Sequence, residues 1–250
     1  MPTLMLKESL ISFDSPVERY TVPPMIRRIA ANAFYDKGRL VHLTIPDNVV
    51  EIGDFAFKMC FNMNRLDLPA RVEKFGIGMF QQCRKLEVVV LPEGVREIDP
   101  GMFVCCDSLR SVTIPQSVEK ISPHAFTTSH ELREIVIPPE NLHLLPESRR
   151  SIAAITYMKR HISDGGSSVI DAFVRQDPAG IATLAVRQNE KDAIRYMTEH
   201  RLLSSAEIGA LVTKANDLKR TEIAAMLLEA NRQPEGTVLA EELFEWDPFA

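Results

Sequence analysis

Four cysteines and six histidines are the residues of this 250-residue chain with most scope for chemistry. Cys60, Cys83 and Cys106 share one register of a regular lattice, and Cys105 adjoins the last. Thiolates ligate zinc or exchange disulfides, but a zinc site needs four close N or S ligands. No CxxC pair and no histidine shares this register. The spacing therefore predicts a column of small buried thiols, Cys being among the most buried residue types. His42, His124, His130, His143, His161 and His200 show no metal-ligand spacing. His200 closes a predicted helix, where a basic side chain meets the negative end of the dipole. GxSxG, Walker A, GxGxxG and HExxH motifs are absent. The expectation is a protein that is not an enzyme, with no catalytic residue, cofactor or metal.

The thiols belong to a larger lattice. Phe34, Phe57, Phe80, Phe103 and Phe126 recur at every 23rd position, as do Pro46, Pro69, Pro92, Pro115 and Pro138. Leu43, Leu66, Val89, Val112 and Ile135 form another column, and Ile29, Ile52, Phe75, Ile98 and Ile121 a further one. Each repeat reads as a short strand such as Leu43–Ile45, stopped by a proline that cannot donate to a ladder. A turn follows, then a second extended piece from Val49 to Ile52, then a tight turn or 3₁₀ segment carrying Ala56 and Phe57 inward. One such unit cannot bury its apolar side. Stacked units bury a continuous core and pair their strands into a parallel sheet. The same register, carried back one period, gives a degenerate repeat in residues 1–25. Val17, Tyr20, Val22 and Pro23 lie on its lattice, and Ile11 in the phenylalanine column.

The pattern I-x-x-I-x-x-x-A-F-x-x-C-x-x-L-x-x-L-x-I-P, clearest from Val49 to Pro69 and from Val95 to Pro115, resembles the leucine-rich repeats of the BspA-like type. The resemblance implies an α/β repeat fold: a right-handed leucine-rich-repeat solenoid with a parallel β-sheet, in a family that binds proteins or host surfaces. This chain departs from the pattern at Lys37 and Ser129, which replace Cys, and at Met79 and Met102, which replace Ala. The solenoid is expected over residues 1–145, with five full repeats in 26–141.

After Pro146 the composition shifts to Ala, Arg, Glu and Met with helical periodicity. An all-α domain is expected over 146–232, with helices at about 147–162, 166–176, 178–188, 190–200, 204–216 and 219–231. Ser204 with Glu207 makes a capping box, and Asp177 before Pro178 a good N-cap. Asp192, Ala193, Tyr196, Met197 and Glu199 align with Glu222, Ile223, Met226, Leu227 and Glu229 at a spacing of 30. Paired helices with Ala185, Ala193, Ala215 and Ala225 at close contacts resemble ankyrin-like units, although the T-P-L-H segment is missing. A plain helical bundle capping the solenoid is the other reading. Residues 233–250 form a tail that mixes acids with Leu243, Phe244, Trp246 and Phe249, either a terminal segment or a docking peptide.

A net charge of −5 argues against nucleic acid, which requires a basic face. No apolar run is long enough to span a membrane. The N-terminus lacks a basic stretch before an apolar core, so the expected location is cytoplasmic, with secretion or surface display still possible for a trimmed chain. The expected function is a non-enzymatic scaffold for another protein or peptide. Its predicted contact residues lie on the outward columns of the strands, at His42, Thr44, Arg65, Asp67, Val88, Val90, Thr113 and Glu134, flanked by Arg110 and Arg133. The domain junction and the tail residues Phe244, Trp246 and Phe249 are further candidates. The alternative is a carbohydrate- or host-surface-binding module of a bacterial surface protein. That role usually exposes aromatics on the strand face, and these columns hold none. Oligomeric state is left undetermined at this level.

Overall fold

The computed structural model describes residues 3–163 and 165–232. They form two compact units divided between Tyr157 and Met158. In the first, each coil contributes two strands, so the ladder runs on two sides of the solenoid. One side carries β3 (Arg19–Thr21), β5 (His42–Thr44), β7 (Arg65–Asp67), β9 (Val88–Val90), β11 (Ser111–Thr113) and β13 (Glu134–Val136). The other carries a hairpin of β1 (Leu4–Leu6) and β2 (Ser9–Ser12), then β4 (Arg28–Ile29), β6 (Glu51–Ile52), β8 (Lys74–Phe75), β10 (Glu97–Ile98) and β12 (Lys120–Ile121). Coil-to-coil pairing is parallel, and equivalent positions of successive repeats meet, as in Leu43 with Leu66 and Val112 with Ile135.

The phenylalanine column fills the centre. Phe57, Phe80 and Phe103 are wholly buried, and their rings stack at centroid spacings of 6.1 and 5.6 Å. The first coil corrects one expectation. Phe13, not Ile11, takes the column position, 5.0 Å from Phe34. Leu10 pairs with Ile29 there, so this coil is shorter than the later ones on that side and the inward residue falls later in the sequence.

Beside the rings runs a second column of bonds. The thiols of Cys60, Cys83 and Cys106 donate to the carbonyls of Phe34, Phe57 and Phe80 at 3.1, 3.2 and 3.0 Å. Where Ser129 replaces Cys, Thr128 Oγ1 donates to the Phe103 carbonyl at 3.4 Å. The Phe126 carbonyl receives Arg149 Nη2 at 2.7 Å.

Arg149 lies on α1 (Glu147–Arg160), which follows a 3₁₀ turn at Pro139–Leu144. The same helix presents Thr156 Oγ1 as acceptor to the Ile135 N–H at 3.2 Å, where a further strand's carbonyl would otherwise serve. Thus α1 closes the last coil. Through Tyr157 it belongs to the first unit, although the composition break falls earlier, at Pro146.

In the second unit α2 (Ser168–Val174) precedes two helical hairpins, α3 (Pro178–Gln188) with α4 (Lys191–Glu199) and α5 (Ser205–Asp217) with α6 (Thr221–Arg232). The hairpins stack in register, α3 on α5 and α4 on α6. The spacing of 30 recurs in the backbone. Glu190 N–H bonds the Ala185 carbonyl and Arg220 N–H the Ala215 carbonyl, and Asn189 and Lys219 both adopt positive φ. Ala185, Ala193 and Ala215 are buried as expected. Ala225 is exposed, and its neighbour Ala224, 30 residues on from the buried Ile194, takes the inward place. Asp177 and the Ser204–Glu207 capping box start α3 and α5. His200 contacts more than a dipole: it stacks on Tyr196 at 3.9 Å, and its Nδ1 lies 3.2 Å from Asp171.

Truncating Phe80 to Ala in the middle of the stack should cost about 3–5 kcal/mol in urea denaturation. Thr156→Val keeps the shape of the cap but strands the Ile135 N–H, and should cost about 1–3 kcal/mol in the same measurement.

Candidate protein-binding face

The first strand of each coil turns one column inward and two outward, because successive strand residues point to opposite faces. The outward columns bring together most of the residues expected to make contacts. At the N-terminal end they build a polar cluster. His42 Nε2 lies 2.8 Å from Asp67 Oδ2, Thr44 Oγ1 donates to the same oxygen at 3.3 Å, and Arg65 Nε donates to Asp67 Oδ1 at 3.0 Å. The bond from His42 and the neighbouring Arg65 hold the Asp67 carboxyl below its ordinary range, against the opposing effect of burial. A relay of the nucleophile–base–acid kind needs one imidazole nitrogen for each partner. Here the same Nε2 faces both Thr44, at 3.3 Å, and Asp67. The cluster is a satisfied surface network.

The next coil changes character. Val88 and Val90 are 52% and 58% exposed, pointing outward from β9. Thr113, Ser111 and Glu134 on the following strands are half-buried, and so is the outward Val136. Arg110 and Arg133 are exposed at the flank, beside Glu87 at 3.8 Å and Glu131 at 3.3 Å. Phe244, Trp246 and Phe249 lie outside the described residues.

The valines stand where the ladder opens. Among the described residues no backbone hydrogen bond joins β7 to β9 or β8 to β10. The coils stay joined elsewhere: Val72 N–H reaches the Glu93 carbonyl at 2.9 Å, Met59 N–H the Gln81 carbonyl at 2.8 Å, and Cys83 bonds Phe57. The opening uncovers part of the core. Leu66, Leu68 and Phe75 are only half-buried, whereas Leu43, Val112 and Ile135 in the column of Leu66 are wholly buried.

One local departure marks the junction. Phe75 stands where four other coils carry Ile, and its ring leans on Phe80 at 6.3 Å and 51°. A charge column records the same gap. Arg28, Glu51, Lys74, Glu97 and Lys120 alternate in sign from one repeat to the next. Glu51 pairs with Arg28 and Lys74, and Glu97 with Lys120, but no Lys74–Glu97 pair occurs among the described residues. Neither the charge column nor the opening was drawn from the sequence. The signals that could have revealed them are Phe75 in an isoleucine column and the sign alternation itself.

The six-coil lattice matches a known family model. The BspA type leucine rich repeat region aligns in six copies over residues 13–145. The chain belongs to this family. Among solved structures, the BspA-type chain is similar to a leucine rich cell surface protein from Faecalibacterium prausnitzii A2-165. Identity is 27% and the TM-score 0.50, over 56% of this chain and 38% of that one. It is also similar to the leucine rich repeat protein of T. pallidum, at 27% identity and a TM-score of 0.49, over 53% of this chain and 64% of that one. A leucine-rich repeat protein from Eubacterium ventriosum ATCC 27560 shares 24% identity at a TM-score of 0.46, over 53% and 42% of the two chains. This chain thus spans less than two thirds of each of them. No curated protein matches it.

The BspA-type cysteines are structural donors. Burial pushes the Cys60 and Cys106 thiols up to about 12, and Cys83 well above its ordinary value. A raised pKa keeps each thiol protonated, and so unreactive, until the pH approaches that value. Only the half-buried Cys105 should therefore react with a thiol reagent in the native chain near pH 8. All four should react after denaturation, which a colorimetric thiol assay would count.

Proposed function

We propose that the protein holds a protein partner on the strand face of the solenoid, with Val88 and Val90 at the centre of the contact. The coarser part of this reading, a non-enzymatic protein-interaction scaffold, comes with membership of the BspA-type family. The observation that carries the finer part is the pair of exposed valines at the opened ladder, in columns whose other residues are polar apart from the half-buried Val136. An apolar centre ringed by polar residues is the usual anatomy of a specific interface, and its energy concentrates at that centre. Burying each valine is worth about 1.5 kcal/mol or more. Arg65, Asp67, Thr113, Glu134, Arg110 and Arg133 form the rim, and His42 and Thr44 orient Asp67 within it. A rigid solenoid face costs little ordering on its own side.

The helical hairpins of the second unit fit an ankyrin-like role as a second recognition element, supported by their regular spacing and stacking in register. A surface-displayed, host-binding form draws support from the relative in F. prausnitzii, described as a cell surface protein. Such display would replace the cytoplasmic location with an exported one. Carbohydrate as the ligand is disfavoured by the lack of Phe, Tyr and Trp in the outward columns.

The test uses the full chain as bait in lysate of its source organism. Val88→Lys with Val90→Lys should abolish capture of a partner that the unaltered chain retains, while leaving the circular dichroism melt unchanged. Capture undiminished by both lysines would remove this face from the contact.

A further inference from the structure

The two ends of the solenoid are treated differently. At the far end α1 bonds the last coil through Arg149 and Thr156. At the near end the outermost element of the sheet is β1, which among the described residues is paired on one side only, to β2. All three of its side chains are exposed: Leu4 at 53%, Met5 at 39% and Leu6 at 64%. Val17 and Met25 are exposed in the same coil, so five of the twelve large apolar side chains exposed among the described residues fall in the first 25. An edge strand presents a row of backbone donors and acceptors to any strand that reaches it, and natural edges are usually blunted by charge or proline. The sequence Leu-Met-Leu carries neither. The register slip at Leu4–Met5 belongs to the pairing with β2.

We infer that β1 is a homodimerisation edge, pairing antiparallel with β1 of a second copy about a two-fold axis at Met5. Leu4 of each copy then lies opposite Leu6 of the other, and Thr3 opposite Lys7, so no like charges face one another. Glu8 is turned to Arg27 of its own chain at 3.9 Å. The sheet β1-β2-β4-β6-β8 runs on through the axis into its copy. A second copy fits this edge because antiparallel pairing makes the strand its own complement, and such isologous contacts close at two. This edge is separate from the valine face, so either reading can fail without the other.

Sedimentation velocity of the full chain over about three decades of concentration tests the inference, since mass action makes a dimer concentration-dependent. The unaltered chain should pass from monomer to dimer and no further. Leu4→Lys with Leu6→Lys sets lysine against lysine in both cross-pairs and should weaken the dimer at least about tenfold, or ~1.4 kcal/mol, with an unchanged circular dichroism spectrum. Met5→Cys in a Cys105→Ser background should oxidise to a disulfide-linked dimer, because the two cysteines meet on the axis. A chain that stays monomeric throughout, a lysine variant that dimerises like the parent, or a Met5→Cys chain that stays unlinked would each overturn the inference.

Discussion

Each coil of this solenoid leaves backbone groups that only the next coil can satisfy, and that dependence governs the rest of the structure. The column phenylalanine shows it most directly. Its ring stacks on its neighbours, and its carbonyl, buried beside the ring, needs a donor. A buried carbonyl without one costs about 1–3 kcal/mol. Cysteine supplies the donor in three coils, Thr128 in the next, and Arg149 from a helix at the end. Three chemistries thus fill one geometric requirement. Cys60, Cys83 and Cys106 follow from that requirement, which is why they stand on the same lattice as the rings.

Much of this was legible beforehand because it is periodic. One period shared by phenylalanine, proline and the aliphatic columns can be satisfied only by stacked coils, and the helix boundaries downstream follow from caps such as Asp177 and Ser204. The features that stayed hidden are those that break the period. Phe13 escaped because the first coil is shorter on one side. Arg149 and Thr156 escaped because a cap replaces lattice bonds with groups from a different kind of element, and nothing in the spacing marks them. The boundary at Pro146 was drawn from composition. Composition reports that a helix begins there, but the contacts of that helix decide which unit it joins.

The candidate face was half legible for the same reason. Alternation along a strand puts His42, Arg65, Val88 and Ser111 on one surface, and the structure keeps them there. Alternation cannot say how far each is uncovered, and so Val136 is half-buried while Val88 and Val90 stand clear. Nor can it say where a ladder opens. At that junction a ring, Phe75, stands in an isoleucine column and leans on Phe80. Ring stack and thiol bonds continue across the opening, so the core remains continuous beneath it.

The closing helix carries a consequence for how such a chain changes length. Arg149 and Thr156 meet groups of the last full coil and the turn after it, namely the Phe126 and Ser129 carbonyls and the Ile135 N–H. Every coil offers those same groups to whatever follows. A duplication or loss of one whole repeat within the array would hand the cap an equivalent docking surface, displaced by one coil height of about 4.8 Å. The ends can therefore stay constant while the middle lengthens or shortens, and array length becomes a property that gene duplication can alter in whole units.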